Sequence, residues 1–412
     1  MSFSHSESLS HSEPLSRSEP LSLSPDASRA EPTTPAAWMA RAIQLAWHGQ
    51  YTCDPNPRVG CVLVKEGRIV GEGFHARAGE AHAEVNALRM AGEVARGATA
   101  YVTLEPCSHT GRTGPCSQAL IDAGVAKVVA AMEDPNPQVS GRGFAMLREA
   151  GIEVEVGLLE EDARRLNPGF IRRMRDGLPR VTLKMAMSLD GRTAMANGES
   201  QWITGPAARQ QVQRLRAASS AVLSGVESII FDDSRLTVRA GQLGLDDAEA
   251  IARRQPLRVI LDSQLRLPLA AACLSEPGRT LVFTIQPEMT ERRRKLEAAG
   301  AEVVLMPANA EGRVEFAGVL RYLATREACN EVLVETGATL AGALLEADCV
   351  DRLELFMAPT LLGSEARPLF ALPGLMSMSQ QRRLEIDDIR AVGEDWHISA
   401  RPVRASDQGG VR

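Results

Sequence analysis

Two α/β domains in tandem are predicted from three observations. The chain has 412 residues, more than one core of typical size accommodates. Apolar strand-like runs alternate with amphipathic helical runs along both halves. Between the halves, NPGFIRRMRDGLPR gathers prolines, glycines and a basic cluster, the composition of a boundary. The expected organisation is a tail over 1–35, a first domain over 36–166, a linker over 167–180, a second domain over 181–402 and a short tail over 403–412.

Residues 1–35 carry the six-residue near-repeat HSESLS, HSEPLS, RSEPLS, too poor in apolar side chains to offset the entropy of ordering. A disordered tail is expected, with His5 and His11 solvated. From Ala36, AAWMARAIQLAWHG reads as an amphipathic helix ending near Gly49. RVGCVLVKEGRIVGEGFH reads as a hairpin turning at Lys65-Glu66-Gly67. AHAEVNALRMAG follows as a helix, ATAYVTLEPC as a strand, PCSQALIDAGV as a helix and AKVVAAMEDPNP as a strand. The pattern places helices on a mixed sheet. In the second half, strands are expected near VTLKMAMSLDG, AVLSGV, LRVILDS, TLVFTI, AEVVLM, EVLVETG and DRLELFMAP, with helices between several of them.

Composition narrows the function classes. Hydrophobic residues at 44% and charged residues at 24% are ordinary for a soluble globular chain. A net charge of −6 argues against sequence-independent nucleic-acid binding, which needs a basic face. No apolar run reaches the roughly 18–20 residues of a bilayer span, and no basic segment with an apolar core opens the chain. Seven cysteines are too few for a disulfide scaffold and odd in number, which points to a reducing cytoplasm.

The strongest chemical signal is His82-Ala83-Glu84, followed 23 residues after Glu84 by Pro106-Cys107 and then by Cys116. One imidazole and two thiolates supply the three protein ligands of a catalytic zinc, which keeps a fourth position for water. Such a metal brings the water's pKa toward neutrality. Glu84, two residues past His82, is placed to carry a proton to a leaving nitrogen without joining the metal. His82 is expected in the first turn of its helix, and the strand VTLEPC is expected to carry Cys107 to the sheet edge. Cys116 should open the next helix, whose dipole favours a thiolate. This is the arrangement of zinc deaminases. Cys53 and Cys61 read as structural, and His109 either contacts a substrate phosphate or is a bystander.

Eight residues separate Cys107 from Cys116 where zinc deaminases usually have two. That loop, with Asp54-Pro55-Asn56-Pro57-Arg58-Val59-Gly60, resembles the deaminase half of the bifunctional deaminase–reductases of riboflavin biosynthesis. The family more often reads GRTPPC here, and Gly114 is a departure that leaves both ligands in place. The resemblance implies that Asn56 contacts substrate; a surface-turn asparagine is the plainer alternative.

The second half offers Lys184-Met-Ala-Met-Ser-Leu-Asp-Gly-Arg-Thr193, Gly198-Glu-Ser-Gln-Trp-Ile-Thr204, Asp232-Asp233-Ser-Arg-Leu-Thr-Val-Arg239 and Val334-Glu-Thr-Gly-Ala-Thr-Leu340. Each is a polar loop at a strand end, where open α/β sheets bind ligands. No G-x-G-x-x-G follows a strand, so the usual dinucleotide fingerprint is missing. Gly337, opening GATLAGALL, instead offers helix-start N–H groups to a phosphate.

These motifs resemble the reductase half of the same family. The fold implied is a cytidine-deaminase-like three-layer α/β domain followed by a dihydrofolate-reductase-like domain. The cofactors implied are Zn²⁺, on His82, Cys107 and Cys116, and NADPH. By resemblance, Ala186, Trp202, Ser228, Asp232, Ser263, Gly337, Ala338, Thr339, Leu340, Ala341, Gly342 and Ala343 fall at cofactor positions. Ser200, Arg216, Leu236, Arg239 and Glu335 fall where the family contacts its ribosyl-phosphate substrate. Guanidinium groups suit a phosphate clamp, while Asp232 and Glu335 suit sugar hydroxyls. Ser228 stands where threonine is usual, Ser234 replaces a common proline, and Thr336-Gly337-Ala338 replaces a more typical glycine-rich or proline-containing run.

The activity implied is hydrolytic deamination of a diaminopyrimidine ribonucleotide, with Glu84 catalytic, then reduction of its ribosyl side chain to ribityl at C1′. The partners expected are these small molecules and further copies of the chain, with no nucleic acid and no membrane. Two other readings share the motif. A nucleic-acid deaminase needs a basic strand-binding surface, and a structural zinc site needs a fourth protein ligand. A third keeps the family but leaves one half inactive.

Overall fold

A computed structural model describes residues 33–108, 114–137, 139–287 and 290–404. The Ser/Glu/Pro repeat with His5 and His11, the loop residue His109 and the C-terminal stretch from 405 lie outside the described residues.

The first half begins with α1 (Pro35–Trp47), where the Thr34 hydroxyl accepts the Ala37 N–H at 3.2 Å and Pro35 takes the first helical position. It buries Trp38, Met39, Ala42, Ile43, Leu45 and Ala46, a helical stripe. Next come β1 (Gly60–Lys65) and β2 (Arg68–Phe74), joined through Glu66 and Gly67 at φ 51° and 75°. Both values suit a primed two-residue turn. Then follow α2 (Ala83–Ala91), β3 (Thr99–Val102), α3 (Cys116–Asp122), β4 (Lys127–Ala130), α4 (Arg142–Glu149), β5 (Glu153–Val156), α5 (Glu160–Leu166) and α6 (Pro168–Asp176).

The strands form one mixed sheet in the order β2-β1-β3-β4-β5. The β1 pairings with β2 and β3 are antiparallel, and those of β4 with β3 and β5 are parallel. Adjacent residues of a strand point to opposite faces. A Cβ on Gly60 would meet the Ala42 carbonyl at 1.9 Å, so that face carries α1. Gly73, the register partner of Cys61, would meet the Ala83 carbonyl at 2.3 Å, so the other face carries α2. The result is three layers, with β1 buried through the middle. Segment 167–180, read as a linker, contains α6, whose Phe170 enters this first core.

The second half runs β6 (Arg180–Ser188), β7 (Arg192–Ala194), α7 (Pro206–Ala217), β8 (Ala221–Gly225), α8 (Val226–Asp232), α9 (Ala248–Ala252), β9 (Leu257–Leu261), α10 (Ala272–Ser275) and β10 (Thr280–Thr284). It continues with α11 (Glu291–Ala298), β11 (Ala301–Leu305), α12 (Phe316–Arg326), β12 (Glu331–Glu335), α13 (Ala338–Glu346), β13 (Arg352–Ala358), β14 (Arg367–Pro368), β15 (Leu384–Val392) and β16 (Asp395–Pro402). Nine strands form one sheet, β11-β10-β9-β8-β12-β6-β13-β16-β15, parallel from β11 to β13. The β13–β16 and β16–β15 pairings are antiparallel. The parallel strands are apolar because helices cover both faces. A large cleft opens at the carboxyl ends of β8, β9 and β12, where open α/β sheets present ligand sites.

Candidate functional site

His82 stands one residue ahead of α2 rather than inside its first turn. The reason lies in the backbone: the Asn86 N–H bonds the His82 carbonyl, which makes His82 the flanking residue at the helix start. Cys107 also sits differently from the expectation, because β3 ends at Val102 and the chain leaves the sheet before reaching it. The Glu105 carboxylate fixes that departure by accepting the N–H groups of Asp134, Gly141, Gly143 and Phe144 at 3.2, 3.0, 2.9 and 3.3 Å. Cys116 opens α3 as expected, and the Ser117 hydroxyl ties that helix to the Cys107 carbonyl at 3.0 Å.

These three residues converge. His82 Nδ1 lies 3.2 Å from Cys116 Sγ and 3.6 Å from Cys107 Sγ, and all three ligand atoms fall within 4.8 Å of one another. Ligands about 2.0–2.3 Å from a tetrahedral zinc must sit roughly 3.3–3.8 Å apart, so the cluster fits that ion. Glu84 is buried beside it, at 3% exposure. Burial and the neighbouring Cys107 sulfur push the Glu84 carboxyl up to about 7. Cys107 is drawn down to about 4 by hydrogen bonds from Cys116 and His82, the state a metal ligand requires. Cys116, pressed against that sulfur and buried, is pushed the opposite way.

Glycines on β2 let α2 come close enough to deliver His82. Gly73→Ala should lower stability by about 1–3 kcal/mol through overpacking and reduce bound zinc. Melting temperature and metal content check this; full occupancy would mean that α2 shifts without displacing His82.

A second layer of the centre was not foreseen. His75 is buried, its Nδ1 is 3.2 Å from the Ala81 carbonyl, and its ring meets His82 edge-on at 5.0 Å. Asn56 Nδ2 lies 3.1 Å from His75 Nε2, which places Asn56 at this centre rather than on a detached turn. The signal available in sequence was a histidine closing the Gly71–Gly73 strand. Cys53 and Cys61 are buried outside the cluster.

In the second half, a cleft of about 1930 Å³ collects the resemblance-assigned residues, with two exceptions. Ala341 and Gly342 lie on the opposite side of α13: Ala341 is fully buried, and a Cβ on Gly342 would meet the Ala371 carbonyl at 1.9 Å. The helix period turns them away while Ala338, Thr339, Leu340 and Ala343 line the cleft. Gly337 is the N-cap of α13 with no side chain capping it, so the first-turn N–H groups remain available to an anion. The size of the cleft and that helix start fit a dinucleotide phosphate. Trp202 stands 70% exposed at the rim, with the Arg209 guanidinium 4.8 Å from its ring centroid.

At the base, Arg216 closes its fork on Glu335, with Nε at 2.5 Å and a terminal nitrogen at 2.9 Å from the two carboxylate oxygens. Its other terminal nitrogen donates to the Thr237 carbonyl at 3.0 Å. Lys184, which opens the first of the second-half motifs but was given no role there, is the β6 register partner of Glu335 and lines the cleft. Burial pushes the Lys184 ammonium down, while Glu335 opposes it. Burial also lifts the Glu335 carboxyl, but Arg216 outweighs it and the group rests below its ordinary range.

Comparison with known proteins gives a consistent picture. The RibD C-terminal domain family matches residues 179–398, and the cytidine and deoxycytidylate deaminase zinc-binding region matches residues 32–132. The riboflavin biosynthesis protein RibD of Escherichia coli K12 is 50% identical over 362 residues, covering 87% of this chain and 96% of that protein. A solved structure of Acinetobacter baumannii RibD is 46% identical, with a TM-score of 0.83 over 90% of this chain and 99% of that one. A Thermotoga maritima diaminohydroxyphosphoribosylaminopyrimidine deaminase/5-amino-6-(5-phosphoribosylamino)uracil reductase is 34% identical, with a TM-score of 0.76 over the same shares.

Proposed function

The chain belongs to the RibD family of riboflavin biosynthesis proteins, and from its two sites we infer that it deaminates a pyrimidine ribonucleotide and then reduces it. The first reaction hydrolyses an amino group from 2,5-diamino-6-ribosylamino-4(3H)-pyrimidinone 5′-phosphate. The second converts the ribosyl side chain to ribityl, giving 5-amino-6-ribitylamino-uracil 5′-phosphate. The cofactors are Zn²⁺ and NADPH. When bound, zinc supplies Lewis-acid activation of water and NADPH supplies a hydride.

The observation that carries the reading is the convergence of His82, Cys107 and Cys116 beside a buried Glu84. His82 Nδ1 and the two sulfurs hold the metal. Glu84, buried beside the ligands, passes a proton to the departing exocyclic amino nitrogen. Asn56, beside His75, orients the pyrimidine. In the second cleft, the N–H groups at the start of α13 receive a cofactor phosphate. With its fork closed on Glu335, Arg216 holds that carboxylate toward the sugar hydroxyls, and the substrate phosphate falls to Arg239 and Lys184. The remaining cleft residues keep the roles their motifs imply, except that Ala341 and Gly342 support α13 from behind.

We place the deaminase domain over 36–166 and the reductase domain over 181–402, with α6 between them packing on the first. Self-association is supported by β15, a sheet-edge strand exposing Leu384, Ile386 and Ile389. A cytoplasmic setting without a nucleic-acid partner is supported by the net charge of −6 and by an odd number of cysteines, all free.

The test uses the zinc-loaded full chain and the diamino ribonucleotide, with no nucleic acid present. Ammonia release is expected first, and NADPH oxidation only after it. NADPH oxidation without ammonia release, or ammonia release only with RNA added, would overturn the reading.

A further inference from the structure

We propose that the second domain positions the substrate loop of the first, with Asp54 as a positioning residue for deamination held from outside its own domain by Arg254, Ser220 and Asn330. The proposal rests on the reading of Asn56 as a substrate contact.

Asp54 belongs by sequence to the deaminase half, yet its side-chain partners come from the other half. One oxygen accepts the Ser220 hydroxyl at 2.7 Å and the Asn330 side-chain amide at 3.2 Å. The other accepts the Arg254 guanidinium at 2.6 Å. The next residue is held too, since the Pro55 carbonyl accepts the same Asn330 amide at 2.8 Å. Charge-assisted bonds of this kind, largely shielded from water, are stronger than neutral ones.

These partners are themselves fixed. Ser220 Oγ accepts the N–H groups of Asn330 and Glu331 at 2.9 and 3.1 Å, and so lies between the starts of β8 and β12. Arg254 also donates to the carbonyls of Ala217 and Ser219 at 3.1 Å each. Asn330 Oδ1 accepts from Arg173 of α6 at 2.7 Å. The anchor is thus the amino-terminal end of two adjacent interior strands of the sheet, β8 and β12.

From Asp54 the path to the reacting centre is short. Asn56 follows two residues later, its N–H bonds the Cys53 carbonyl at 2.9 Å, and its amide reaches His75, which packs against His82. A loop held at Asp54 and Pro55 therefore presents Asn56 at a fixed distance from the metal centre. Small misplacements of a substrate-orienting group are costly because they remove pre-organised geometry.

The experiment compares Asp54→Ala, Arg254→Ala, Arg254→Lys and Asn56→Ala in the full zinc-loaded chain. Asp54→Ala and Arg254→Ala should raise the deamination KM roughly ten- to a hundredfold with kcat changed far less, the signature of lost binding rather than lost chemistry. Arg254→Lys should restore most of the affinity. Zinc content should stay at the wild-type level, and Asp54→Ala should reduce already deaminated substrate at the wild-type rate. If Arg254→Ala fails to fold, Asp54→Asn carries the test by removing only the charge. A KM within about twofold of wild type for Asp54→Ala, while Asn56→Ala raises it strongly, would overturn the proposal and leave Asn56 in place. An unchanged KM for Asn56→Ala would overturn the substrate-contact reading itself, and the positioning role with it.

Discussion

Glu84→Gln should lower the deamination rate by roughly 10²–10⁴-fold, the usual contribution of a positioned general acid–base group. Zinc content should remain at one equivalent per chain with three ligands intact, because Glu84 lies outside the group formed by His82, Cys107 and Cys116. The substitution keeps the volume of a side chain that is 3% exposed, so packing is preserved and the loss reads as chemistry. A carboxyl buried beside the ligand cluster takes a proton from the attacking water and returns it to the leaving nitrogen. An amide does neither. NADPH-dependent reduction of substrate that is already deaminated should proceed at the wild-type rate, since that cleft is built from the other sheet. A mutant that retains more than about a tenth of wild-type deamination would remove Glu84 from the proton path; one that loses zinc would make it structural.

The two halves differ in how legible they were. The zinc centre could be read because three chemically rare side chains sit at spacings that a helix start, a chain segment and a second helix start convert into one point. What the spacing could not give was His75 and Glu105, which act through contacts formed only when β2 and the 134–144 segment fold over the centre. The eight-residue loop between the cysteines departs from the usual two-residue gap, and that departure is what pointed to the family. In the second half, the apolar runs VTLKMAM, LRVIL, TLVFT and EVLVE located buried parallel strands, which need no polar alternation. The β15 strand escaped because LEIDDIRAV is exposed along nearly its whole length and its alternation is broken by a register shift between Ile386 and Asp388. Arg216 shows the limit of residue-by-residue transfer. Its position in the cleft was foreseen, but the closed fork on Glu335 was not, because that pairing joins α7 to the end of β12 across 119 residues.

That pairing also sets the second large effect. Glu335→Ala should cost about 3–5 kcal/mol of stability, the usual result of removing one partner of a buried pair, read as a shifted denaturation midpoint at constant slope. The structural cause is an excess of positive charge: Arg216, with its side chain 11% exposed, would face Lys184 and Arg239 across a site with its anion removed. The acid dependence has a definite sign. Glu335 titrates lower in the folded chain than unfolded, so the pair's contribution is complete above the ordinary carboxylate range and fades as pH falls through the folded value. Structural and functional roles separate in the double variant Arg216→Met/Glu335→Leu. Apolar side chains of similar size should recover most of the stability, because two buried charges then need no desolvation. Reduction of the ribosyl chain should stay depressed in that variant, since neither new side chain bonds a sugar hydroxyl. If the restored protein reduces substrate at the wild-type rate, the pair is a core element alone and the sugar must be held by Asp232 and Ser200, which lie together at the rim of the same cleft.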